Sequence, residues 1–129
     1  MRALKYILGG LLAMQLFAGS LFAEKVIFVH GFSLTTNNSA CQGQTSCDSY
    51  WKNVPAGIDQ VFVGYDGRRN PFAATQTAGS VRLLEMLNKY CRADRGQSCR
   101  IVADSMGALT SAGTVSMYNR TGVYNVLYS

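Results

Sequence analysis

The chain has 129 residues, is 48% apolar and 15% charged, and carries a formal net charge of +5. That length holds one small domain, and the charge is too mild and too scattered for a nucleic-acid binder. Lys52, Arg68, Arg69, Lys89, Arg92, Arg95 and Arg100 are spread along the chain, without a dense basic block or interleaved aromatics, so they read as a solvated surface.

Met1-Arg-Ala-Leu-Lys leads into an apolar run from Tyr6 to Phe22, which ends at Ala23 just before the charged pair Glu24-Lys25. A basic start, an apolar stretch and a small residue at its end read as a secretory signal peptide over residues 1–23. Gly9, Gly10, Gln15, Gly19 and Ser20 leave the run short for a membrane span, and an uncleaved anchor is the rival reading. Cleavage after Ala23 leaves 106 residues with ten Lys and Arg against seven Asp and Glu, a balance of +3. A secreted or periplasmic location follows.

All four cysteines, Cys41, Cys47, Cys91 and Cys99, lie in the exported part, where an even count favours disulfides. Three pairings are open. Closure of short loops favours Cys41 with Cys47 and Cys91 with Cys99, the second pair joining a helix end to the following strand. A zinc site is the rival, but it lacks Cys-x-x-Cys spacing and a nearby histidine. No metal and no cofactor is expected.

Lys25-Val-Ile-Phe-Val-His-Gly-Phe is a continuous apolar run of the kind that forms a strand buried on both faces, and it ends in His30-Gly31. Residues 33–46 are polar and predict a loop. Asp48-Ser-Tyr-Trp-Lys-Asn-Val-Pro predicts a short helix with Asp48 as its N-cap and Pro55 as its stop, Tyr50 and Trp51 being packing aromatics. Gln60-Val-Phe-Val-Gly-Tyr-Asp-Gly predicts a second buried strand running into an Asp-Gly turn, with Asp66 a turn residue.

The clearest helix runs from Ala73 to Cys91, with Arg82, Glu85, Asn88, Lys89 and Arg92 as its polar stripe. Residues 93–98 form the return loop. Arg100-Ile-Val-Ala is a third strand that strikes Ser105 and continues at once into a helix from Met106 to Tyr118, weakened slightly by Gly113. Val123 to Tyr128 is a fourth strand. This succession of βα units implies an α/β domain with a parallel sheet, right-handed crossovers and ligand binding at the strands' C-terminal ends, where His30 and Ser105 both fall.

A serine on so sharp a strand-to-helix turn has its Oγ pushed out of the sheet, and small residues two places either side keep the adjoining backbone clear. Ala103 and Gly107 supply that room. The pattern Ala103-Asp-Ser-Met-Gly107 resembles the nucleophile elbow of the α/β-hydrolase superfamily, one methyl group from Gly-x-Ser-x-Gly. Read with the His30-Gly31 loop, the chain from Lys25 to Ser129 looks most like the N-terminal part of the lipase and esterase branch.

The resemblance implies a three-layer α/β/α sandwich with a mostly parallel sheet and an incomplete hydrolase domain over residues 24–129. It implies Ser105 as the nucleophile and the backbone N–H groups of Phe32 and Met106 as the oxyanion hole, supported by His30, Gly31, Ala103, Asp104 and Gly107. It implies a small-molecule or lipid ester substrate, with transient contact to a lipid surface and no nucleic acid.

Two positions depart from the family. Histidine commonly precedes the serine in this branch, and here the residue is Asp104. More seriously, no His, Asp or Glu follows Ser105, and His30 is the sole histidine, either a base on the oxyanion side or a loop-shaping residue. A truncated enzyme accounts for the missing acid and base. So does the alternative, a non-catalytic exported binding protein with a hydrolase-like half-fold.

Overall fold

A computed structural model describes residues 24–55, 57–68, 72–119 and 122–127. The expected signal peptide therefore lies outside the described residues. Strand β1 (Glu24–Val29) and strand β2 (Gln60–Val63) come first, followed by helix α1 (Phe72–Tyr90) and strand β3 (Ser98–Ala103). Helix α2 (Met106–Asn119) and the short strand β4 (Val126–Leu127) complete the order. The strands form one sheet in the order β2-β1-β3-β4, and every pairing is parallel. An antiparallel bridge, Arg92 to Tyr124, stitches the chain before β4 to the chain just after α1.

The apolar runs form strands because both their faces are covered. Ile27 and Val29 of β1, with Val61 and Val63 of β2, pack against Leu83, Met86 and Leu87 of α1 and Val115 of α2. Phe28 and Phe62 point the other way and stack at 4.8 Å, meeting the Cys41–Cys47 pair. Val26, Tyr50, Trp51 and Val54 close this second cluster. Helices cover one face, and irregular chain from the β1–β2 connection covers the other. Among the described residues, that second layer contains a 3₁₀ turn at Ser39–Cys41 and no α-helix.

Here the structure corrects the sequence reading: the short helix expected from Asp48 to Pro55 is a turn. The N–H groups of Tyr50 and Trp51 both donate to the Cys47 carbonyl, at 3.2 and 2.8 Å, and no helical ladder follows. A stretch this short cannot repay the cost of helix nucleation by itself, and its Trp51 and Tyr50 are committed to packing across the sheet. The fourth strand also begins later than Val123, at Val126, and Tyr128 lies outside the described residues. Residues 123 and 125 bond the backbone of residues 91, 93 and 99, leaving two residues paired along β3.

The segment from the disulfide loop also closes the outer edge of β2. The Gly43 N–H donates to the Phe62 carbonyl at 2.9 Å, the Phe62 N–H donates to the Gln44 carbonyl at 2.9 Å, and Gln42 Oε1 accepts from the Gly64 N–H at 2.7 Å. Both favoured disulfides, Cys41–Cys47 and Cys91–Cys99, are formed. They remove all four thiolates as ligands, so the zinc reading lapses. No described helix is long and apolar enough to cross a membrane.

Candidate active site

Strands β1 and β3 are neighbours, but the chain leaves β1 toward β2 and leaves β3 toward β4. Their C-terminal ends therefore flank a topological switch point, the place in a parallel sheet where a crevice opens. The last bond between them runs from the Asp104 N–H to the Val29 carbonyl at 3.1 Å. His30-Gly31 and Ser105 emerge side by side just beyond it.

Ser105 holds φ at 56°, one of two non-glycine residues with positive φ among those described. An L side chain there costs about 1–2 kcal/mol, and the reward is an exposed hydroxyl at the mouth of α2. The turn is this tight because the backbones touch. A methyl group on Gly107 would lie 2.4 Å from the Val29 carbonyl oxygen and 2.6 Å from that of His30. A methyl on Gly31 would lie 2.6 Å from the Asp104 carbonyl oxygen and 2.9 Å from Ser105 Cβ. Both positions require glycine for contact distance. Ala103 ends β3 half-buried, packed against the helix-side core.

His30 is fully buried and both its ring nitrogens are engaged. The Tyr65 N–H donates to Nε2 at 3.2 Å, so Nε2 carries a lone pair and the proton sits on Nδ1, which donates to the Gly31 carbonyl at 2.9 Å. The Tyr65 ring stacks on the imidazole at 4.0 Å and its hydroxyl donates to the His30 carbonyl at 2.5 Å. Burial lowers the His30 pKa, opposed by its backbone hydrogen bonds. This is a neutral, fixed imidazole that shapes the loop and has no nitrogen to offer a serine.

The same bond aims a donor. A trans peptide sends its C=O and N–H in opposite directions, so tying the Gly31 carbonyl to His30 turns the Phe32 N–H away from the imidazole. Phe32 is tethered on its other side too, since the Ser33 N–H donates to the Gly67 carbonyl at 3.2 Å. The Met106 N–H is the first amide of α2 and has no acceptor within its helix. It lies at the positive end of the helix dipole. Two backbone donors thus stand either side of the switch point near an exposed hydroxyl.

Two features escape a reading of the sequence. Tyr50 reaches across from the second layer and donates its hydroxyl to Asp104 Oδ2 at 2.7 Å. Asn38, in a polar loop, is fully buried, and its Oδ1 accepts from Ser49 Oγ at 2.6 Å beside the Cys41–Cys47 bridge. Asp66 accepts from the N–H and Nε of Arg68, at 3.2 and 2.9 Å, as a turn residue does. Elsewhere, one groove of about 390 Å³ runs beside Trp51, Asn53 and Gln60, and another of about 350 Å³ lies along α2 at Leu109, Gly113 and Met117; Ser105 lines neither. Comparison with family models, with curated proteins and with solved structures finds no match to this chain.

Proposed function

We propose that this chain carries the nucleophile half of an exported serine hydrolase of α/β-hydrolase type, resembling a lipase or carboxylesterase. The observation that carries the reading is Ser105 at φ 56°, packed against Gly31 at the switch point of a parallel sheet. Ser105 Oγ adds to an ester carbonyl as its proton passes to solvent water, the oxyanion is held by the N–H groups of Phe32 and Met106, and the C–O bond to the alcohol breaks, the departing alkoxide taking a proton back from water and leaving an acyl-enzyme. Water then releases the acid. The three-layer arrangement belongs to the same proposal: α1 and α2 form one outer layer, and the segment over Phe28 and Phe62 stands where the other would be. Two disulfides are compatible with an extracellular location.

The serine proton needs an acceptor. Both ring nitrogens of His30 are taken, so this imidazole is not the acceptor. That observation favours the second reading, a non-catalytic exported binding protein. Under the hydrolase reading, residues 24–129 by themselves turn over slowly, limited to the roughly 10³–10⁴-fold over water that an oxyanion hole and binding supply without a working triad.

A fluorophosphonate probe separates the two readings. Covalent labelling that is slow but faster than that of free serine, and that disappears in Ser105→Ala, supports the hydrolase; folded wild-type protein labelled no faster than free serine supports the binding protein.

A further inference from the structure

The two oxyanion donors ride on different strands, Phe32 beyond β1 and Met106 beyond β3, and the backbone ladder joining these strands stops at the Asp104–Val29 bond. Something past the ladder has to fix their separation. Tyr50 is placed to do so. Its hydroxyl donates to Asp104 Oδ2 at 2.7 Å, on the elbow. The same hydroxyl lies against Gly31 of the oxyanion loop, where a methyl would lie 3.1 Å from it. Tyr50 Oη and Ser105 Cβ therefore approach one point from two sides.

The phenol is held at its other end as well. The backbone N–H of Tyr50 donates to the carbonyl of Cys47, a disulfide residue, and the ring packs 5.1 Å from His30 and 5.4 Å from Trp51. Burial and the Asp104 carboxylate raise the Tyr50 pKa, so the hydroxyl keeps its proton and remains a donor at neutral pH.

We infer that Tyr50 is a positioning residue: by lying against Gly31 while bonding the Asp104 carboxylate it clasps the oxyanion loop to the elbow and sets the spacing of the Phe32 and Met106 donors. Asp104, where the related hydrolases commonly carry histidine, is the acceptor that the clasp requires. The catalytic consequence rests on the hydrolase reading, whereas the clasp itself does not.

The test uses the oxidised chain and two readouts, amide hydrogen exchange at Gly31 and Phe32, and the affinity of Ser105 for phenylboronic acid, a tetrahedral anion mimic. Loss of a charge-assisted hydrogen bond predicts about tenfold faster exchange at Gly31 and about tenfold weaker boronate binding in Tyr50→Phe. Asp104→Leu should do the same, and Asp104→Asn, which can still accept, should restore most of both. The exposed Asp104 variants serve if Tyr50→Phe folds poorly. A Ser105→Ala control that still binds boronate as wild type does, or a wild type that binds none, removes the hydrolase reading; the clasp is then judged by exchange alone. Gly31 exchange unchanged in both Tyr50→Phe and Asp104→Leu overturns the inference. So does accelerated exchange with boronate affinity intact at a serine that binds it, since the donor spacing would then be independent of the clasp.

Discussion

Glycine at 107 and glycine at 113 occupy the same helix and have opposite meanings. A Cβ at Gly107 would collide with backbone atoms of Val29 and His30, which cannot move without parting the helix from the sheet. A Cβ at Gly113 would meet nothing within 4 Å. Gly107→Ala should cost about 3 kcal/mol in chemical denaturation, and Gly113→Ala should gain roughly 0.5–1 kcal/mol. His30 makes a second residue-level prediction. Its folded pKa lies below the unfolded value of about 6.5, so the unfolded chain binds the extra proton first. Stability is complete above that unfolded value and falls as the pH drops below it, with the Tyr65 N–H losing its acceptor. Thermal unfolding followed from pH 7.5 to pH 5 should show this decline, and His30→Gln should flatten it.

Among the elements, the disulfide Cys91–Cys99 joins the residue after α1 to the strand that delivers Ser105, across a separation of eight residues. Chain-entropy reasoning puts its contribution at about 2.5 kcal/mol, so the paired variant Cys91→Ala, Cys99→Ala should lose that much in denaturant while retaining Cys41–Cys47. Elements of this kind are legible in the sequence when their signal is local. The run Val26 to Val29 and the helix ending at Tyr90 announce themselves through apolar content and periodicity, and the elbow does so through the small residues around Ser105. What is not legible is set by distant contact. Tyr50 meets Asp104 across 54 residues, and Asn38 is buried because Ser49 and a disulfide close over it. The segment after Asp48 carries helix signals, but side-chain packing across the sheet overrides them.

Taken whole, the molecule buries its sheet unequally. Helix α2 packs Val115 inward while Leu109 is 53% and Met117 is 60% exposed, which matches its place beside a second groove. At the far side of the sheet the arrangement is the reverse, with β2 sealed by residues 42–44. That seal is rooted at Cys41, so the Cys41–Cys47 bond holds in place the backbone that occupies the free side of Phe62. An uncovered strand edge is a template for other chains. Reduction should therefore do more than loosen a loop: Cys41→Ser, Cys47→Ser protein should polymerise through β2 in a concentration-dependent way, followed by light scattering and thioflavin fluorescence, while the Cys91, Cys99 variant stays in solution. Equal solubility of the two would show that the wrap persists without its bond; otherwise an oxidising compartment is what keeps this sheet from growing past its own edge.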